Sequence, residues 1–274
     1  MTQYMAMGLK GKNVVLTGAS GGIGIVTAKH LLAEGANVVL HFNSNQSAFD
    51  GLVSEVDGHR YLICQADLRK EQDVKKMFAD SVKKFTTLDG LVNNAGVWPP
   101  VDTPIEVMSL NQWNNTFATN LTSVFLCVRE FMKNLRTSPS PNPSIIFIGS
   151  TAGVFGEAGH VDYSATKAAM KGMVLTLKNE ITKISKSGRV NLINPGWTVT
   201  EMAEKGLEDT QKVTKILQTI PLRKVARPND IAKAIVFLLS EKLSGHISGL
   251  SLDVTGGMEG RVLFNPDEID LGSI

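Results

Sequence analysis

Cysteine is nearly absent: the 274-residue chain carries only Cys64 and Cys127. Two thiols cannot staple a fold of this size, and their spacing is not that of a zinc site. The expected compartment is therefore reducing and cytoplasmic. Long apolar runs are missing too. The opening residues, MTQYMAMGLKGKN, hold no stretch of the length a signal peptide needs. The most apolar helical stretch, Ile231 to Leu239, is short and carries Lys233, so no membrane span is expected. An excess of one charge is lacking as well: 28 Lys and Arg stand against 26 Asp and Glu, for a net charge of +2. With no basic cluster behind it, that balance argues against nucleic acid or an acidic membrane as the main partner. The histidines (His30, His41, His59, His160 and His246) are scattered without metal-ligand spacing, so no metal is expected. Surface or loop roles are the leading reading for all five, with pocket lining as the second reading for His160, three residues before Tyr163. These absences leave a soluble enzyme or binding protein acting on a small molecule.

What is present is a substantial apolar fraction, 43%, against 20% charged residues, enough to build a core. Short β-branched runs alternate with longer amphipathic ones, the pattern of βαβ units. Strands are expected at 14–16, 38–40, 61–63, 91–92, 145–148, 190–193 and 250–254. Helices are expected at about 22–34, 45–56, 70–84, 108–135, 162–186 and 228–240. The fold class is α/β, a doubly wound parallel sheet with helices on both faces. The segment SPSPNPS (138–144) cannot be helix and is too short for a domain linker. One domain over 1–274 is expected, with a tail from about 258.

The first strand runs directly into TGASGGIG, Thr17 to Gly24. Glycines at 18, 22 and 24 permit a tight turn, close approach of a pyrophosphate and close helix–sheet packing. The helix that follows supplies backbone N–H groups and a partial positive charge. Further along stand Ala66-Asp67-Leu68 after the third strand and Asn93-Asn94-Ala95-Gly96 after the fourth. Ser150 precedes Tyr163-Ser164-Ala165-Thr166-Lys167, and Asn194-Pro195-Gly196 is followed by Thr200.

In this order and register the motifs resemble those of the short-chain dehydrogenase/reductase family, over roughly residues 10–258. The resemblance implies a nicotinamide-dependent oxidoreductase interconverting a carbonyl and a secondary alcohol. It implies cofactor contacts from Gly18, Ser20, Gly22, Ile23 and Gly24 of the turn, and from Asp67 and Leu68. Asn94, Ala95 and Gly96, then Pro195, Gly196, Thr198 and Thr200, complete the implied set with Tyr163 and Lys167. It assigns Asn120, Ser150, Tyr163 and Lys167 to catalysis, with Asn120 holding a water that relays protons to the lysine.

The residues themselves support those roles. A phenol ionises near pH 10, too high for ready proton exchange at neutrality. Lys167 lies one helical turn from Tyr163, where its charge favours the phenolate. Tyr163 is the expected general acid/base and Lys167 its tuner. Ser150, at the carboxyl edge of an apolar strand, is placed to stabilise a developing oxyanion. Trp98 and Trp197 flank loops at the same end and are candidates for the wall of an apolar substrate pocket.

A further absence bears on cofactor choice. NAD-specific folds place a carboxylate at the end of the second strand, and that position falls here on Phe42. With no carboxylate to repel a 2′-phosphate, and Asn43 and Ser44 able to donate to one, NADP is expected over NAD. The leading reading is an NADP-dependent carbonyl reductase or alcohol dehydrogenase. The alternatives are a 3-oxoacyl-thioester reductase and a non-catalytic nucleotide sensor, the latter disfavoured by the intact Tyr163 and Lys167. A homotetramer is expected, through surplus apolar faces on the two long helices (Phe117, Leu121, Phe125 and Phe131; Met170, Met173, Val174 and Leu177). The tail, with Val262-Leu263-Phe264, is expected to fold over the substrate entrance or onto a neighbouring subunit.

Overall fold

In the computed structural model, which describes residues 7–54, 56–200 and 210–260, seven strands form one parallel sheet in the order β3-β2-β1-β4-β5-β6-β7. The strands are β1 (Asn13–Leu16), β2 (Asn37–Phe42), β3 (Tyr61–Gln65), β4 (Gly90–Asn93), β5 (Ser144–Ile148), β6 (Arg189–Pro195) and β7 (Ser251–Val254). All seven expected strands are present, each within a few residues of its expected ends. The apolar runs of β1, β4 and β5 are buried throughout, as strands covered by helices on both faces must be.

Two core clusters flank the sheet. On one side Val15, Val39, Leu91 and Phe147 meet α3 (Glu71–Phe85), α5 (Ser123–Thr137) and α7 (Val161–Ile181). On the other, Val14, Leu16, Val38 and Ile146 meet α1 (Gly22–Ala33) and a helix over Pro228–Leu239. Alternate strand residues therefore serve opposite layers, as the pleat dictates.

Three expectations need correction. The helix expected over 45–56 is only a 3-10 turn, Ser47–Phe49, and one α turn, α2 (Asp50–Val53). Asn43, Ser44 and Asn45 before it favour turn over helix. The long helix expected over 108–135 is α4 (Leu110–Phe117), a π turn at Ala118–Thr122, and α5. Three short helices went unread: α6 (Thr151–Phe155), α8 (Thr210–Gln218) and α10 (Glu241–Ser244), with α9 being Pro228–Leu239. The loop over 138–144 is as expected up to Ser144, which opens β5.

The strand order reverses direction between β1 and β4. In open α/β sheets the crevice beyond the carboxyl ends of the strands at such a point receives ligands. The turns after β1, β4, β5 and β6 all open onto that edge.

Candidate active site

The turn after β1 owes its shape to glycine. Gly18 has φ +61°, and a Cβ there would lie 2.9 Å from the Ala95 Cα. A Cβ on Gly24 would strike the Gly18 carbonyl oxygen, while one on Gly22 would meet the Thr200 Cγ at 2.9 Å. The structure thus brings Gly22 and Thr200 together from opposite ends of the sequence. No side chain caps α1 at Gly21, and its first turn carries no acidic residue. A phosphate-sized anion fits that uncapped end, where a carboxylate would repel it. Ser20 and Ile23, the remaining turn residues, are half-buried.

The turn after β4 is stitched to this one. The Thr17 hydroxyl accepts from the backbone N–H groups of Asn94 and Ala95, both at 3.0 Å. The Asn94 amide donates to the carbonyls of Thr17 (3.1 Å) and Gly18 (2.9 Å). Asn94 thereby spends its side-chain donors on positioning the glycine turn. Asp67 accepts two hydrogen bonds from the Arg69 guanidinium at 2.9 Å, which hold its carboxyl down at about 2. Leu68 is buried in the core beside it. Pro195 and Thr198 are buried, and the Thr198 hydroxyl donates to the Gly196 carbonyl.

At the end of β2 the structure adds a detail to the reading of Phe42 as the last strand position. Phe42 is only 4% exposed and packs edge-on against Phe49, so its side chain belongs to the core. Asn43 and Ser44 are the exposed residues there.

The second half of the site comes from β5, α6 and α7. Ser150 caps α6, its hydroxyl accepting from the Ala152 N–H at 3.1 Å. Burial of Tyr163 pushes its phenol up to about 12, and the neighbouring Ser150 hydroxyl offsets part of the rise. Lys167, one turn along α7, is 5% exposed; its ammonium donates to the Ile148 carbonyl at 2.8 Å and lies 5.6 Å from the Tyr163 ring centre. Burial pulls this lysine down to about 8. Desolvation therefore outweighs the expected pull of Lys167 on the phenol. The result is a loaded proton donor beside a cation at neutral pH.

Asn120 sits in the π turn and is fully buried. Its amide donates to the Val97 carbonyl and accepts from the Val97 N–H, both at 2.8 Å. This is the bonding that an asparagine in an apolar run requires. A Cβ on Gly96 would fall 3.2 Å from the Asn120 carboxamide oxygen and 3.4 Å from the Lys167 ammonium. A glycine there keeps open the space between those two polar groups.

One histidine is not where sequence placed it: His41 lies inside β2 and is 2% exposed, rather than in a surface or loop role. His160 does lie in the loop before α7, but its side chain is buried, 1% exposed. His160 stacks on Trp98 with ring centres 3.8 Å apart, and Trp98 in turn meets the Tyr163 ring edge-on at 4.7 Å. The three-residue spacing of His160 and Tyr163 carried that signal. His41 is alternated into an otherwise apolar strand, which is the pattern of an inward-facing position. Trp197 is half-buried. Among the described residues no group of three or more His, Cys, Asp or Glu is placed to hold a metal.

An uncapped helix end, a glycine cradle, an exposed polar strand end and a serine–tyrosine–lysine cluster share one crevice. Each feature fits part of a nicotinamide dinucleotide: pyrophosphate, ribose and reacting ring. The arrangement defines an NAD(P)-dependent oxidoreductase. The family model described as "Enoyl-(Acyl carrier protein) reductase" matches residues 18–259. A 3-oxoacyl-[acyl-carrier-protein] reductase of Synechocystis is 35% identical over 246 residues, 89% of this chain and 95% of that protein. Another, from Staphylococcus epidermidis, is 32% identical over 90% of this chain and 98% of that one. A solved short-chain dehydrogenase/reductase of Brucella melitensis, titled a glucose/ribitol dehydrogenase, superposes with a TM-score of 0.84 at 29% identity, covering 93% of this chain and 99% of that one. The chain belongs to the short-chain dehydrogenase/reductase family.

Proposed function

We propose that the protein is a single-domain, NADPH-dependent carbonyl reductase whose catalytic residues are Ser150, Tyr163, Lys167 and Asn120. The observation that carries this reading is the convergence of Ser150 and Tyr163 beside a buried lysine at the strand edge. Bound nicotinamide supplies the hydride to the carbonyl carbon. The Ser150 hydroxyl donates to the carbonyl oxygen and stabilises the charge it gains. The Tyr163 phenol delivers its proton to that oxygen. As the phenol ionises, the Lys167 cation opposes its charge, and its own bond to Ile148 fixes where that cation sits. Asn120 holds Val97, and through it the floor beneath Gly96, at the distance the lysine needs.

Trp98 forms the wall beside Tyr163, with His160 bracing its far face, and places an apolar, flat surface next to the reacting carbonyl. That favours a substrate with an apolar group flanking the carbonyl. The second reading, a 3-oxoacyl-thioester reductase, is favoured by the names of the relatives from Synechocystis and Staphylococcus epidermidis. The absence of a carboxylate at Phe42, Asn43 and Ser44 supports NADPH over NADH; a cytoplasmic location is part of the same proposal. No helix among the described residues is long and apolar enough to cross a membrane.

The groove between α5 and α7 supports assembly as a homotetramer. It is lined by Phe125, Val128, Met132, Met173 and Leu177, with Phe125 48% exposed; Leu175, also on α7, is 46% exposed. Of the apolar residues spread over more than one side of these helices, Phe131, Met170 and Val174 form the core side.

The test is turnover with ketones, aryl ketones and 3-oxoacyl thioesters under each cofactor. Tyr163→Phe keeps the ring and loses the proton, so turnover falls at least about a hundredfold while NADPH still binds. Near-normal turnover in that variant overturns the mechanism. Asn43→Asp, placed on the exposed position rather than the buried Phe42, weakens NADPH binding by about tenfold or more and spares NADH. Equal loss of both cofactors overturns the assignment.

A further inference from the structure

His41 is a buried titratable group that neither the proposed reaction nor the apolar core accounts for. It stands next to the end of β2, with its ring between two loops of the site. The Gly18 N–H donates to its Nδ1 at 2.9 Å, and its Nε2 lies 3.0 Å from the Ala66 carbonyl oxygen. Its own carbonyl accepts from the Ala19 N–H at 2.8 Å. One residue thus grips both peptide groups at the start of the glycine turn and ties them to the turn after β3.

The partners fix the tautomer. A peptide N–H can only donate, so Nδ1 carries the lone pair, and the proton on Nε2 goes to the Ala66 carbonyl. A second ring proton would face the Gly18 N–H donor to donor across 2.9 Å, and that contact must break. The contact matters because Gly18, at φ +61°, is the residue whose backbone swings the chain into the turn. We propose that His41 is a positioning residue for the dinucleotide: neutral, it holds the Gly18 peptide in its binding geometry, and protonated it releases that turn, so cofactor affinity falls on acidification. This rests on the reading of the turn as the nucleotide site.

The surroundings agree with a ring that must stay neutral. Burial lowers its proton affinity below the usual 6.5, the Ala66 carbonyl recovering part of the loss. From β3, Cys64 lies in register beside it, with a thiol that burial pushes up to about 11. Asp67, next after Ala66, is engaged by Arg69 at 2.9 Å, with Lys70 at 3.9 Å. From the turn after β1 only backbone N–H groups face it, and from β2 itself its neighbour Phe42 is apolar. Among the described residues no ionised side chain acts on the ring.

The experiment measures NADPH and NADH dissociation constants of the full chain between pH 5 and 8, for the wild type, His41→Asn and His41→Gln. The asparagine oxygen takes the place of Nδ1 and accepts from Gly18 without titrating; the glutamine amide reaches toward Ala66 instead. NADH lacks the 2′-phosphate, which itself takes up a proton near about pH 6. Wild-type NADH affinity is expected to fall on acidification, with its onset below the usual histidine value because burial lowers the ring's proton affinity, approaching tenfold per pH unit beyond that onset. His41→Asn should bind as the wild type does at pH 8 and stay flat to pH 5, while His41→Gln binds at least about tenfold more weakly throughout. Nitrogen-15 NMR of the wild-type ring gives a reading independent of any variant's folding. The Nε2–H tautomer should persist to lower pH with nucleotide bound than without. The same titration in both states, or the same pH profile in His41→Asn as in the wild type, overturns the proposal alone. A wild type that binds neither nucleotide at pH 8 overturns the reading of the turn as well.

Discussion

At Lys167 the demands of chemistry and stability run in opposite directions. The unfolded lysine titrates near 10.5, and burial brings the folded one down to about 8. Between those values the unfolded chain binds the extra proton, so stability rises with pH from about 8 toward 10.5, the penalty for burying the charge being fully present below 8. Lys167→Met removes the buried charge at the cost of one hydrogen bond, to Ile148. Its melting temperature at pH 7 is expected to equal or exceed that of the wild type, and its gain between pH 8 and 10 to vanish. Turnover should fall about a hundredfold or more, because the phenol loses its cation. Calorimetry across that range with parallel assays checks both. A variant that melts well below the wild type at pH 7 would show that the bond to Ile148 outweighs desolvation. The residues Tyr163 and Lys167 were legible from their spacing, but the sign of their shifts was not. Spacing reports proximity, whereas burial is a property of the assembled layers.

At the scale of elements, the strands were the readable part, because β-branched runs between turn signals survive in any context. The helices were less so. The break between α4 and α5 turns on Asn120, whose carboxamide bonds a backbone group 23 positions away in the chain, a partner no local pattern announces. The position of Phe42 at the end of β2 was legible, but its burial was not: its ring packs on Phe49, from a segment expected to be regular helix. Asn120 makes the consequence testable. Asn120→Leu fills the volume but removes the side-chain partner of the part-buried Val97 N–H and C=O, at a cost below the roughly 1–3 kcal/mol of a fully buried group. The loop carrying Gly96 and Trp98 should loosen. The expected signature is a several-fold rise in KM alongside a larger drop in kcat, with Trp fluorescence shifted to the red. Kinetics identical to wild type would mean that the clamp is dispensable.

For the whole molecule, the sheet order and the two cores place every polar element of the site at one edge and leave the outer faces of α5 and α7 for contact. The exposed Phe125, backed by the Arg129 guanidinium 5.3 Å from its ring, and the exposed Leu175 lie on those two helices. Composition alone could not separate them from Phe131, Met170 and Val174, since both sets repeat at helical spacing and only packing decides which face turns inward. The description ends at Gly260, whose backbone reaches the Phe155 ring on α6, and the expected fold of Val262-Leu263-Phe264 lies outside the described residues. A two-fold axis through the α5–α7 groove would bring each Phe125 against its counterpart's helices and cover both apolar faces at once. Phe125→Arg with Leu175→Arg would set like charges against each other across that axis while leaving the monomer core, and the crevice, untouched. Light scattering at micromolar concentration is then expected to report a mass half that of the wild type or less. NADPH affinity should change less than about twofold, since no residue of the crevice is altered. A wild type that already scatters as a monomer, or a double variant of unchanged mass, rejects this face as the contact between subunits.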